Sequence, residues 1–266
     1  MGEDLALYLY CFARRNLLAA APTLEDVSGE QRITCEAHRE IVAVVSAVPL
    51  AEFTGPEAEA HLSDLAWVGP RALRHESVVE QAMRLSPIFP ARFGTLFSGA
   101  PRLREVMSGH YDEIVSFLER TADHEEWAVK GYLDRRRAIE AWAAAEMDRE
   151  RGPSESPGKR FLVRQRALSR GAGRVSEWTE AARERLRREL QGEATSLVER
   201  AAGAPPSGQE REAVLNFAVL IARAQLPAAL ATVEKANADW EERGLSVQCT
   251  GPLPPYSFTP ALEGGP

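Results

Sequence analysis

The stretch Leu-Ala-Leu-Tyr-Leu-Tyr-Cys-Phe, residues 5–12, is the apolar run that decides the fold of the first part of the chain. Successive side chains of a strand point to opposite faces of its sheet. Two sets then lie on opposite faces: Leu5, Leu7, Leu9 and Cys11 on one, and Ala6, Tyr8, Tyr10 and Phe12 on the other. Both sets are apolar, which predicts a central strand that is covered on both sides.

The elements around this strand follow from local patterns. Residues 33–37 and 41–48 are rich in β-formers, which predicts a hairpin that ends at Pro49. The sequence Thr54-Gly-Pro-Glu57 is typical of a helix start, and an apolar stripe follows it. That stripe consists of His61, Leu62 and Leu65. A second helix is expected from residue 72, with an apolar side formed by Ala72, His75, Val79, Ala82 and Met83. Residues 87–94 are expected to be extended because their prolines block a helix.

The rest of the chain alternates helices with strands. Strands are predicted at residues 127–134, 213–222 and 245–250, and helices at residues 101–119 and 227–243. A long helical region, residues 135–202, is interrupted by a Gly- and Pro-containing linker at residues 152–158. Its second half has coiled-coil-like spacing that Gly171 and Gly173 weaken, so we expect a helical hairpin.

This mixed order of elements predicts an α+β protein of two domains. We place the boundary near residues 98–101, which gives an N-terminal domain of residues 1–98 and a C-terminal domain of residues 99–266. A chain of this length can hold one large core or two smaller ones.

Charge and cysteine usage exclude several classes of protein. The net charge of -7 disfavours binding to nucleic acid and to anionic lipid. No window approaches the ~18 apolar residues of a membrane span. Cys11, Cys35 and Cys249 form no CxxC pair, so we expect small core residues, neither a disulfide framework nor a zinc site, and a cytoplasmic location.

No catalytic, cofactor or metal motif emerges from the sequence. His75-Glu76 begins like a zinc-protease helix, but Val79 stands where the second histidine is needed. Glu76 and Glu80 are interpreted as a solvated acidic face. His75 is expected to pack or hydrogen-bond within the N-terminal domain. We therefore predict a protein that is not an enzyme and that uses no cofactor or metal.

Five short segments, in this order, resemble the GvpL/GvpF gas vesicle protein family. They are Leu7-Tyr8-Leu9-Tyr10; residues 41–53; His75-Glu76 together with Pro90-Ala91-Arg92-Phe93-Gly94-Thr95; Gly158-Lys-Arg-Phe161-Leu162 with Arg164 and Arg166; and Gly251-Pro-Leu-Pro-Pro-Tyr-Ser-Phe258. The chain departs from the family at Leu253, where an aromatic residue is usual, and at Ala91, where an aliphatic residue is frequent. The resemblance spans residues 5–258.

The resemblance implies a fold and a role. It implies an α+β N-terminal domain and a C-terminal domain with a modified ferredoxin-like fold and a long helical hairpin. It also implies a cytoplasmic, minor component of gas vesicles that contacts the major shell protein. Shell subunits of gas vesicles are very hydrophobic on their gas-facing side, and we expect this protein to shield that face during assembly.

The residues expected to contact a partner lie in the two Pro- and aromatic-containing segments: Phe89, Arg92, Phe93, Pro252, Pro255, Tyr256 and Phe258. Two readings stay open for each segment. Arg92 either fixes its strand end through an ion pair or a carbonyl, or contacts a partner. The stiff tail either docks on a partner or folds back over the sheet of the C-terminal domain.

Two alternative functions also stay open at this point. The first is a scaffold that binds other gas vesicle accessory proteins through the helices of residues 135–202. The second is an enzyme or a ligand-binding regulator, for which a deep polar pocket would be the sign.

Overall fold

The computed structural model describes residues 4–20, 27–29, 32–149, 157–203 and 211–262. Its contacts divide the chain into two compact units. Unit 1 comprises Met1–His124 and Pro254–Pro266, and unit 2 comprises Glu125–Leu253.

The sheet of unit 1 is built on the first strand. Its strands are β1 (Leu5–Arg14), β2 (Thr34–His38), β3 (Ile41–Pro49), β4 (Ile88–Pro90) and β5 (Leu96–Phe97). The order is β2-β3-β1-β4, with β5 also paired to β1. The predicted hairpin is β2–β3, in which Thr34 pairs with Val45. The structure confirms that β1 is central and buried on both faces.

A β-bulge in β1 corrects the predicted alternation. The register shifts between Leu9 and Cys11, so that Tyr10 and Cys11 both contribute to the cluster that contains Tyr8. Phe12 moves to the opposite cluster, where Leu9 lies. A bulge inserts one extra residue into a strand and therefore resets the period of two. The assignment of Cys11 and Phe12 by strict alternation was wrong.

Helices cover both faces of this sheet. They are α1 (Leu50–Phe53), α2 (Pro56–Ser63), α3 (Leu65–Leu85), α4 (Ala100–Gly109) and α5 (Tyr111–Thr121). Val78, Val79 and Ala82 of α3 join one core cluster, and apolar residues of α4 and α5 join the other. The predicted single helix at residues 101–119 is broken at His110, next to Gly109, which destabilises a helix interior.

Unit 2 pairs a second sheet with three helices. Its strands are β6 (His124–Leu133), β7 (Ser196–Glu199), β8 (Glu212–Ala222) and β9 (Leu245–Leu253), in the order β7-β8-β6-β9. Its helices are α6 (Arg135–Arg149), α7 (Pro157–Glu193) and α8 (Leu226–Trp240). The protein is therefore α+β, with an antiparallel sheet in each unit.

The long helical region ends earlier than predicted. Residues 196–199 are strand β7, in which Ser196 pairs with Leu220 and Glu199 with Phe217. The predicted helix to residue 202 was wrong, because pairing with β8 decides the conformation of this segment. Most of the predicted linker, residues 152–156, lies outside the described residues, and Pro157 already begins α7.

The packing of α4 and α5 moves the division between the units. Both helices cover the sheet of unit 1, so residues 99–124 belong with that sheet and the division lies at His124. The predicted boundary near residues 98–101 therefore differs from the observed division. That the two units are separate domains stays a prediction.

The structure bears on two expectations from the sequence: that the cysteines are core residues and that no segment spans a membrane. Cys11 is buried, whereas Cys35 and Cys249 are half-buried. No helix in the described ranges combines the length and apolarity that a membrane span needs.

Candidate functional site

The family-like segments of unit 1 converge on His75, a buried histidine of α3 that is 3% exposed. The Tyr8 hydroxyl lies 3.0 Å from its Nδ1. The carbonyl oxygen of Ala91 and the hydroxyl of Tyr256 each lie 3.2 Å from its Nε2. The prediction that His75 hydrogen-bonds within the N-terminal part of the chain is confirmed.

The partners fix the tautomer of His75. A carbonyl oxygen only accepts, so Nε2 carries the proton that it donates to Ala91. Nδ1 then accepts from the Tyr8 hydroxyl, whose oxygen in turn accepts from the backbone N–H of Gly94 at 3.1 Å. With the neutral ring, both imidazole nitrogens and the Tyr8 hydroxyl proton have hydrogen-bond partners.

The network continues to a carboxylate. The Tyr256 hydroxyl donates to Oε2 of Glu76 at 3.2 Å. Burial raises the pKa of Glu76, the bond from Tyr256 opposes that change, and the neighbouring Glu80 adds to it. Burial raises the pKa of both Tyr8 and Tyr256, so each stays a neutral hydroxyl donor. Burial also lowers the pKa of His75 to about 4, although its bond to Ala91 opposes the change.

Aromatic rings enclose these polar atoms. Tyr10 stacks on His75 with ring centroids 5.5 Å apart, and Phe93 meets His75 edge-on at 5.9 Å. A further series of ring contacts leads from Tyr8 to Phe53 and from Phe53 to Trp67. Such a satisfied network in an aromatic setting defines the position of the chain segments that it joins.

The network sets the turn that carries Arg92. Gly94 has a φ of 82°, a conformation that favours glycine. The Thr95 hydroxyl donates to the carbonyl of Arg92 at 2.7 Å. The Arg92 side chain is exposed, and it makes no ion pair or side-chain hydrogen bond with the described residues. The turn holds the backbone, and the guanidinium stays available.

The predicted contact residues differ in accessibility. Phe89 is 4% exposed and packs edge-on against Phe12 and Phe117 in the core, so its ring offers no surface to a partner. Phe93 is half-buried in the aromatic cluster. Pro252 is exposed and lies in unit 2, at the end of β9.

The tail returns to unit 1, which corrects one of its two expected readings. Pro255 is buried, and Tyr256 and Phe258 pack on the two core clusters of unit 1. The tail does not fold over the second sheet, because the Tyr256 hydroxyl accepts from His75 and donates to Glu76 and so holds the tail in unit 1. This network was not predicted from the sequence. Buried tyrosine hydroxyls need partners, so tyrosines in a strand with two apolar faces are the signal that could have indicated it.

A second feature of unit 1 is an exposed apolar face on α2 and α3. Leu62, Leu65 and Leu73 are 55%, 85% and 75% exposed. The stripe predicted from His61, Leu62 and Leu65 was wrong, because α2 ends at Ser63 and Asp64 starts a new helix by accepting from the N–H of Ala66. This break turns the leucines outward.

Within the described ranges, no group of three or more His, Cys, Asp or Glu residues is arranged to hold a metal ion.

Comparison with known proteins identifies the group to which the chain is related. The family model described as "Gas vesicle synthesis protein GvpL/GvpF" matches residues 6–260. Gas vesicle protein L from Streptomyces sp. (strain CB03234) is 31% identical over 231 residues, which is 85% of this chain and 82% of that protein.

Two solved structures have a similar fold. The crystal structure of gas vesicle protein GvpF from Anabaena sp. PCC7120 matches with a TM-score of 0.66 and 18% identity, over 97% of each chain. GvpF from Microcystis aeruginosa matches with a TM-score of 0.61 and 17% identity, over 96% of this chain and 99% of that one. From the extent of the family match and the Streptomyces relative, the chain belongs to the GvpL/GvpF family of gas vesicle synthesis proteins.

Proposed function

We propose that this protein assists gas vesicle formation by binding the hydrophobic shell subunit and helping it to assemble. The observation that carries the proposal is the apolar face of α2 and α3, defined by Leu62, Leu65 and Leu73. Exposed apolar surface of this kind marks interaction sites in globular proteins. The chain's net charge of -7 would keep a complex with an apolar subunit dispersed.

The apolar face has helical spacing. Leu65, Gly69 and Leu73 recur at intervals of four along α3, and the exposed Ala66 and Pro70 lie beside them. None of these residues carries a charge. Burying one leucine side chain contributes ~1.5–3 kcal/mol relative to water. Two or three leucines can therefore offset much of the cost of association, and polar contacts around them supply the rest.

Arg92, Phe93, Tyr256 and Phe258 stay in the proposal in a changed role. The Arg92 guanidinium is exposed and in this proposal offers the partner a polar contact. The half-buried rings of the other three residues fix the turn that carries Arg92 and the tail.

A capture experiment with the major shell protein tests the proposal. The Leu65→Glu/Leu73→Glu double variant should retain at most about a tenth of the wild-type capture, because carboxylates cannot enter an apolar contact without losing their water. Leu85→Glu is the matched control, since Leu85 is an exposed leucine near the end of the same helix. Equal capture by the folded double variant and the wild type would count against the apolar face as the contact, and absence of capture by the folded wild type would count against shell binding.

A second candidate function is a scaffold for other gas vesicle accessory proteins. Phe161 and Leu162 of α7, which belong to a family-like segment, are 61% and 57% exposed. The Phe161→Glu variant should lose binding to accessory proteins and retain the shell protein, whereas the variants on α3 should show the reverse. If one variant lost binding to both the shell protein and the accessory proteins, the proposal of two separate binding surfaces would be contradicted.

The fold of unit 2 and the cellular location of the protein are part of the same proposal. We propose that unit 2 is a modified ferredoxin-like domain, which its succession of one strand, two helices, two strands, one helix and one strand supports. The sheet order β7-β8-β6-β9 also supports it. A non-enzymatic role in the cytoplasm and on the vesicle follows from the resemblance.

A further inference from the structure

Unit 2 contains a cavity of about 460 Å³ along the α6–α7 hairpin. Its apolar lining consists of Trp142 and Trp178, Val175 of α7 and the small residues Ala138, Ala141 and Ala145 of α6. Arg149, Arg174 and Arg243 also line it, and among the described residues of the lining Glu177 is the one carboxylate. The cavity is therefore aromatic inside and cationic along its edge, within a chain whose net charge is -7.

Three of the hydrogen-bond donors of this cavity have no acceptor among the described residues. Neither indole N–H makes a hydrogen bond with the described part of the chain. The Arg243 guanidinium lies 6.0 Å from the Trp178 ring and forms no ion pair with a described carboxylate. By contrast, Arg183, Arg185 and Arg187 of α7 all form ion pairs.

The other two guanidiniums are paired only weakly. Arg174 contacts Glu177 at 3.2 Å and Arg149 contacts Glu146 at 3.6 Å, each on the surface of its own helix. Exposed pairs of this type contribute little, so an incoming carboxylate can replace them.

The length of the lining favours a peptide over a small molecule. Its α6 residues run from Ala138 to Arg149, which is about 16 Å along a helix. An extended peptide of about five residues covers that distance.

We propose that this cavity binds an acidic segment of a partner protein. A large apolar side chain of that segment lies between Trp142 and Trp178, and neighbouring carboxylates accept from the indole N–H groups and the arginines. The inference gives a site and a chemistry to the scaffold function and does not depend on shell binding.

Selection from a random dodecapeptide library displayed on phage, with the intact protein as bait, tests the site. We expect the enriched peptides to combine Asp or Glu with an aromatic or large aliphatic residue. Arg243→Gln and Ala145→Trp, which fills the cavity, should each weaken binding of a selected peptide about ten-fold in calorimetric titrations. Arg136→Gln, an exposed arginine of α6 outside the lining, should stay within about two-fold of the wild type.

Each other outcome overturns the proposal. Enrichment of basic peptides, or equal affinity for wild type and both cavity variants, excludes an acidic segment as the occupant. A bound anionic small molecule in native mass spectra assigns the cavity to a ligand instead. A dimer that Ala145→Trp dissociates assigns it to a second copy of the chain. Shell capture measured on the same variants should equal that of the wild type, which separates this site from shell binding.

Discussion

His75, with a neutral imidazole ring, links three segments of unit 1 by hydrogen bonds. It joins β1, through Tyr8, to the turn at Ala91 and to the tail at Tyr256. A protonated ring would present a second N–H to the Tyr8 oxygen, which already accepts from Gly94. The Tyr8 proton would then lose its acceptor. Protonation therefore breaks a bond and also places a charge in an aromatic interior.

Acid should weaken unit 1 through this residue. The pKa of His75 is about 4 in the folded protein and 6.5 in the reference state, so the fold favours the neutral form. The stabilisation is complete above 6.5 and is lost as the pH falls towards 4, by up to about 3 kcal/mol in the free energy of unfolding. Urea unfolding followed by circular dichroism at several pH values in this window measures it.

The control for this prediction is His75→Gln, which keeps one donor and one acceptor but does not titrate. Its free energy of unfolding should be lower than that of the wild type at neutral pH, and the gap should narrow as the pH falls. Glu76 titrates in both proteins, so the comparison cancels its contribution. If the free energies of unfolding of the two proteins changed with pH in parallel, His75 would not be the cause of the loss of stability in acid.

Removing one hydroxyl should loosen the tail. Tyr256→Phe deletes the donor to Glu76 and the acceptor for His75 and leaves the ring in place. We expect a loss of about 1–2 kcal/mol in the free energy of unfolding of unit 1, because a half-buried carboxylate loses its partner. Tyr111→Phe is the control, since that hydroxyl has no hydrogen bond to the described residues. An equal effect of the two substitutions would contradict a role for the network.

Helices and strands could be predicted from the sequence where the apolar pattern of a segment agrees with its packing in the fold. The apolar run of residues 5–12 indicated a central strand because both of its faces are apolar, and helices do cover both faces. The bulge at Leu9–Cys11 was not predictable, because no glycine or proline marks it. Residues 196–199 were read as helix because only their pairing with β8, which lies later in the chain, makes them a strand.

Gly171 and Gly173 of α7 should respond in opposite ways to the same substitution. A Cβ at Gly171 would lie 2.9 Å from Cγ2 of Ile139, where α6 and α7 come close together, whereas one at Gly173 would meet nothing within 4 Å. Gly173→Ala should therefore stabilise the helix by about 0.5–1 kcal/mol. Gly171→Ala should destabilise unit 2, because the branched Ile139 side chain cannot rotate away freely.

Melting temperatures of the two variants test this pair directly. Both substitutions add the same methyl group to the same helix, so each serves as the control for the other. A rise in melting temperature for both would show that α6 and α7 are not held as close together as the contact at Ile139 requires.

At the scale of the whole molecule, the chain leaves unit 1 at His124 and returns to it at Pro254. The sequence indicated two parts with a boundary near residues 98–101, because helices α4 and α5 follow the glycine-bounded stretch at residues 94–99 and resemble the start of a new domain. Their apolar sides fit the second face of the first sheet, and that fit depends on contacts distant in sequence. The prolines of the tail likewise predicted that it is stiff. They did not predict that it packs on unit 1, because that depends on its hydrogen bond with His75.

Ending the chain at Leu253 should therefore weaken the unit that is remote from the cut in sequence. The truncation removes Tyr256 and Phe258, which pack on the two core clusters of unit 1, and removes the partner of Glu76. We expect faster hydrogen exchange, measured by mass spectrometry, in β1 and α3, while β8 and α8 of unit 2 exchange as in the intact protein. A chain that ends at Leu262 keeps these contacts and should match the intact protein in both units. Faster exchange confined to unit 2 in the shorter chain would mean that the tail supports the second sheet, and the His75 network would then not be what holds it.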